Sequence, residues 1–186
     1  MKKELKLLKK ELKNKAKSHK YERDENNRLI VNMTVKDDSE FLSVYSESSA
    51  PKISTDVAEF IEHSTQALPP NDNLTLRIYS NCIDDIEKEE YRSAIKEYYT
   101  EQYVANEREY KRNRIIIAIL ASAGILFLAL ALALHMHDIW SEVVDIVAWV
   151  LLWEAVDIAI FQNRSLKIKK LRCLSYIGMN IEYFNI

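Results

Sequence analysis

The sequence predicts an α+β membrane protein: a two-helix transmembrane hairpin, a small cytosolic α/β domain, and a long helix running from that domain into the first span. Three observations carry this expectation. Ile115 to Leu134, "IIIAILASAGILFLALALAL", are twenty consecutive uncharged and nearly all apolar residues, enough at about 1.5 Å per residue to cross a roughly 30 Å hydrocarbon layer. Val143 to Phe161 has the length of a second span, although it contains Asp145, Glu154 and Asp157. Upstream, two short runs alternate apolar and polar residues with the period of half-buried strands.

Residues 1–27 read as a basic N-terminal helix or arm. The first twenty carry nine Lys and two Glu, a net charge of +7, with Leu5, Leu8 and Leu12 at helical spacing. Lys2, Lys3, Lys6, Lys9, Lys10, Lys13, Lys15 and Lys17 are therefore candidates for an anionic partner. Nucleic acid would bind there by counterion release, and membrane lipid by surface attachment. The rival partner is internal, because residues 21 to 110 carry nine basic and twenty acidic side chains, a net −11. A solvated arm is the plain alternative.

Residues 28–83 form the expected α/β domain. Leu29, Val31, Met33 and Val35 alternate as a strand, and Phe41 to Tyr45 reads as a short second one. After Pro51, Ser54 or Thr55 caps a helix with Val57, Phe60, Ile61 and Leu68 on one face, and "PPND" at 69 to 72 ends it,. Leu74, Leu76 and Ile78 then alternate as another strand.

From Asp84 to Gly124 there is no Gly or Pro, so residues 84–114 are expected as a long connecting helix entering the first span at 115–134. Tyr91, Ile95, Tyr98, Tyr99 and Tyr103 give it an aromatic stripe, read as helix packing ahead of a base-stacking platform,. Residues 135–142 are the extracytoplasmic turn, where His135, His137 and Asp138 form an incomplete metal-ligand set, so no metal is expected,. The second span covers 143–161. Residues 162–186 are a basic cytosolic tail, helical over Leu166 to Leu174, with "MNIEYFNI" as a strand returning to the sheet.

Orientation follows from charge. "KRNR" precedes the first span and "NRSLKIKKLR" follows the second. The positive-inside rule then puts both termini in the cytoplasm of a multi-pass protein of the cytoplasmic (inner) membrane. Cys82 and Cys173 are expected as free thiols, and no signal peptide is read at the N-terminus,. With only Gly124 and Gly178, no glycine-rich phosphate loop can form, and neither a nucleophile elbow nor a HExxH helix is present,. His63 has no identifiable partner. The expectation is a protein that is not an enzyme and needs no cofactor.

The intramembrane polar residues are more informative. In a hairpin Ile115 stands opposite Phe161 and Leu134 opposite Glu142, which puts Glu154 level with Ser122 and Asp157 within reach of Arg114 or Arg164 for an ion pair,. Glu154 and Asp157 share one helix face, and Asp145 lies on the other side. An ionised carboxylate facing lipid costs several kcal/mol, so the acidic face should turn toward protein or water, which predicts a homo-oligomer. Ala118, Ser122, Ala129 and Ala133 offer a small-residue surface for such close approach,. Trp149 and Trp153 sit too deep for an interfacial belt and are expected to pack between helices or, with Phe161, to form a gate; Trp140 is an interface anchor,.

Three function classes fit: an oligomeric channel-like effector, a membrane-tethered adaptor with a protein-binding domain, and an accessory subunit of a transporter complex. The compact α/β region, the span "NRIIIAILASAGILFLALALAL" and the segment "WVLLWEAVDIAIFQNRSLKIKKLR" give the chain a layout. That layout resembles the small prokaryotic two-transmembrane-helix effectors of antiviral defence signalling, the Hailong-type effector among them. The resemblance implies an ion channel or membrane-depolarising effector whose cytosolic sensor domain is gated by a nucleotide or by nucleic acid.

Overall fold

A computed structural model describes residues 22–47, 50–133 and 139–186, apart from the side chains of 133 and 139–141. The lysines of the basic arm and the His135, His137 and Asp138 turn lie outside the described residues, as does the side chain of Trp140. The chain folds as β1 (Leu29–Thr34), α1 (Thr55–Thr65), β2 (Leu74–Tyr79), α2 (Asp85–Ala133), α3 (Ile139–Asp157), a π-helical turn (Ile158–Gln162), α4 (Asn163–Ile177) and β3 (Asn180–Phe184). It is a mixed helix and strand structure with one small sheet and one long apolar helix.

The three strands are all parallel, in the order β1-β2-β3. Val31 pairs with Leu76, and Ile78 with Tyr183. Parallel neighbours need a crossover, and the two crossovers are very unequal. α1 makes the first. The second contains α2, α3 and α4, so both roots of the helical pair are fixed to adjacent strands of one sheet. The C-terminal strand expected from "MNIEYFNI" is therefore present.

One sheet face carries the core, with Leu29, Leu76, Ile78, Ile61, Ile95 and Tyr99 all at 1% exposure or less. The opposite face is largely open: Arg77 pairs with Glu182 at 3.1 Å, and Tyr79 stacks on Phe184. Thr75, which points to that side, is covered by the segment before β1, donating its hydroxyl to Asp24 Oδ2 at 2.8 Å.

The expected strand at Phe41 to Tyr45 does not form. Leu42 makes only an isolated antiparallel bridge with Ile53. Phe41 enters the core and stacks on Tyr91, with centroids 4.2 Å apart, whereas Val44 and Tyr45 are 81% and 94% exposed. With no second face to bury, the alternation has nothing to align it. α1 begins where expected, its Ser54 hydroxyl accepting from the Val57 amide, but its buried face is Val57, Ala58, Ile61 and Thr65. Phe60 is exposed, and Leu68 is buried beyond the helix end.

α2 runs for 49 residues, about 70 Å at ~1.5 Å per residue. A capping box starts it: Asp84 Oδ1 accepts the Ile86 and Glu87 amides at 2.8 Å, and Glu87 Oε2 accepts the Asp84 amide at 2.7 Å,. Its first half packs Tyr91, Ala94, Ile95 and Tyr99 onto the core. Its second half is long and apolar enough to cross a membrane.

α3 and α4 return antiparallel along α2 in the register expected for a hairpin. Gly124 faces Leu152, Glu107 meets Lys170, and Tyr99 meets Tyr176. The close approach is made by Gly124 against Ala148, which is fully buried. Ala118, Ser122 and Ala129, the expected small-residue surface, remain exposed, and the Ser122 hydroxyl donates to Ala118 O and Ile119 O of its own helix. No break separates the second apolar helix from the basic helix. The π-helical turn joins them, with the Asn163 amide bonded to Ile158 O.

Candidate functional site

Where α1 meets the roots of the helical pair, three helices line a half-open cleft of about 500 Å³. α1 contributes Glu62 and His63, with Gln66 just past its end, and α2 contributes Tyr99, Gln102 and Asn106. From α4 come Lys169, Arg172, Cys173 and Tyr176. Local folding explains the placement. The last carbonyls of α1 have no partners within their helix, and Arg172 supplies donors, reaching Thr65 O at 3.1 Å and Gln66 O at 2.9 Å. Beside it the Thr65 and Tyr176 hydroxyls share a buried hydrogen bond of 2.7 Å. α4 is thereby stitched to α1.

The inner wall is less fully satisfied. Tyr99 is 1% exposed, its ring lies 4.4 Å from that of Tyr176, and its hydroxyl has no hydrogen-bond partner among the described residues. Burial pushes that hydroxyl well above its ordinary range. Burial, with the nearby Glu59 charge, also raises the Glu62 carboxyl, against the opposing pull of His63 and Arg172. Asn106 Nδ2 donates to Cys173 Sγ at 3.8 Å, and burial pushes the thiol up, so it stays protonated at neutral pH. A protonated thiol held by an amide is not an activated nucleophile. The chemistry on offer is recognition: two cations from α4, a carboxyl from α1, and three carboxamides.

Just beyond the cleft, Lys170 pairs with Glu107 and lies 5.4 Å from the ring centroids of both Tyr103 and Tyr110. That pairing holds the Glu107 carboxyl below, and the Lys170 ammonium above, their ordinary values. Higher still, at the π-helical turn, Asn113 and Asn163 are buried, with Nδ2 of the one and Oδ1 of the other lacking partners among the described residues.

The polar and aromatic candidates of the expected second span occupy a different place. Glu154 and Asp145 are exposed on α3, and Asp157 is partly buried. Trp149 and Trp153 do not pack against α2: they are 67% and 73% exposed, as Phe161 is at 67%. The α3 face turned to α2 is small, with Ala148 and Ala155 buried, which turns the indoles outward. Among the described residues no ion pair joins Asp157 to Arg114 or Arg164; both arginines are exposed.

Sequence reasoning missed the cleft. Its walls come from segments around residues 63, 102 and 172, each ordinary alone, and Lys169 and Arg172 read as topology-setting charges. His63, which lacked a partner in the sequence, was the one visible signal. Comparison of the chain with protein families, with curated proteins and with solved structures finds no match.

Proposed function

We propose that this chain is an oligomeric integral protein of the cytoplasmic membrane, crossing it twice with both termini cytoplasmic. In this reading it acts as a channel-like or membrane-depolarising effector, controlled by its sheet domain through an anionic ligand, nucleotide or nucleic acid, or through a partner protein. The layout shared with antiviral effectors fits it.

The observation that carries the reading is the outward position of Glu154. Its own hairpin leaves it exposed, on a stretch of helix that also presents Trp149, Val150, Trp153 and Val156 to the surroundings. An ionised carboxylate facing hydrocarbon costs several kcal/mol. A second subunit laid against this face removes the cost, and the resulting ring of Glu154, bordered by Asp157, favours cations. Control enters at the other end: α2 leaves β2 and α4 enters β3, so any shift of α1 or the sheet moves both roots together.

The test is ion flux through liposomes holding the full-length protein, with and without added nucleotides and DNA oligomers. Cation flux is expected, and Glu154→Gln should lower both the flux and its cation preference, with Asp157→Asn having a smaller effect. If the wild-type oligomer conducts in none of these conditions, a membrane-tethered adaptor becomes the better reading. That reading is favoured by the partly exposed sheet face bearing Arg77, Tyr79 and Phe184.

A further inference from the structure

We infer that the cleft between α1, α2 and α4 is a binding site for a nucleoside monophosphate or a ligand of the same chemistry, one anionic group joined to a flat heterocycle with hydrogen-bonding edges. Its role as the control point of the membrane helices rests on the function proposed above; binding itself does not.

Size and chemistry lead there together. A volume near 500 Å³ lies within the roughly 300–1,000 Å³ range of small-molecule sites and far exceeds what a single inorganic anion fills. Lys169 and Arg172 come from α4 and Glu62 from α1, so the lining offers cations to an anionic group and a carboxyl to N–H donors. The Gln66, Gln102 and Asn106 carboxamides of the same lining each offer a donor and an acceptor. That pairing matches the edge of a nucleobase.

The second, independent observation is Tyr99. It lines the cleft, and its hydroxyl is buried without a hydrogen-bond partner among the described residues, an unfavourable condition unless something meets it. A ligand polar group reaching the inner wall would do so. Arg172 adds the link to the rest of the molecule, since its guanidinium already holds the last carbonyls of α1. An anion beside Lys169 draws on the same guanidinium. Occupancy therefore competes with the α1–α4 junction, and α4 continues upward through the π-helical turn into α3.

The test uses the detergent-solubilised full chain, with calorimetric titration and thermal shift against the four 5′-ribonucleoside monophosphates, the four parent nucleosides and inorganic phosphate as separate arms. At least one monophosphate should bind about tenfold or more tightly than its nucleoside and than phosphate, as expected for a charge-assisted contact. Lys169→Ala should weaken that monophosphate by about tenfold and leave the nucleoside unchanged. Tyr99→Phe should weaken ligand binding while leaving the unliganded protein as stable as before or more so, a combination that a purely structural tyrosine would not give. Lys167→Ala, exposed on the same helix, should change nothing. Failure of all four monophosphates to bind at millimolar concentration overturns the assignment, as does phosphate binding as tightly as any of them. Flux measured after the same preparation is reconstituted into liposomes separates the two ideas: binding without conduction defeats the channel alone, and conduction without binding defeats the cleft alone.

Discussion

Gly124 and Leu152 face each other so closely that a Cβ placed on the glycine would lie 2.8 Å from Leu152 Cγ and 3.2 Å from Ala148 O. That contact sets the spacing of α2 and α3. Gly124→Val should force them apart and lower stability by about 1–3 kcal/mol, the usual cost of overpacking. Pairing Gly124→Ala with Leu152→Ala should recover the loss caused by Gly124→Ala alone. Unfolding in detergent reads both, and equal midpoints for wild type and Gly124→Val would remove the packing argument.

Leu76 lies at the centre of the sheet with no exposed surface. Leu76→Ala should cost about 2–5 kcal/mol from lost burial and the cavity left behind. The denaturant midpoint of the sheet-bearing end, followed by tyrosine absorbance, would show it.

The hydrogen bond between Thr65 and Tyr176 is buried and joins α1 to α4. Thr65→Val strands the Tyr176 hydroxyl and should cost about 1–3 kcal/mol, whereas Thr65→Val with Tyr176→Phe removes both partners and should cost much less. Additive losses in the double variant would mean that the two hydroxyls are not coupled.

The Glu107–Lys170 pair makes a pH prediction with a definite sign. Lys170 holds the folded carboxyl below its ordinary 4.5. A group depressed on folding adds stability in full above its unfolded value and loses it as pH falls through the folded one. The difference in melting temperature between wild type and Glu107→Gln should thus be steady from neutral pH down to about 5 and shrink below 4.5,. A difference that stays the same at pH 3 and pH 7 would assign it to packing.

What was legible in the sequence follows from how local each signal is. Alternation located β1 at Leu29, Val31 and Met33 and β2 at Leu74, Leu76 and Ile78, because each strand buries one face against helices. It misled at Phe41 to Tyr45, where a single aromatic anchor and two solvent-facing residues imitate a strand. The α2–α3 register was readable from hairpin geometry alone, but the facing of Trp149 and Trp153 was not, since depth says nothing about azimuth. The π-helical turn leaves no mark in composition. The cleft needed three helices brought together across more than a hundred residues, as the separation between Thr65 and Tyr176 shows.

The length of the second crossover also sets an order of events. Arg77 of β2 waits for Glu182 of β3 across 105 residues of chain, which at about 5–20 residues per second is roughly 5–20 s of synthesis. During that interval β1 and β2 are complete but the far edge of β2 is unpaired, and the entire helical pair emerges before the edge is closed. The sheet thus acts as a clasp, shut only by the last strand made. A ribosome stalled before Asn180 would leave an open strand edge beside a finished hairpin, the part of the molecule most in need of a chaperone.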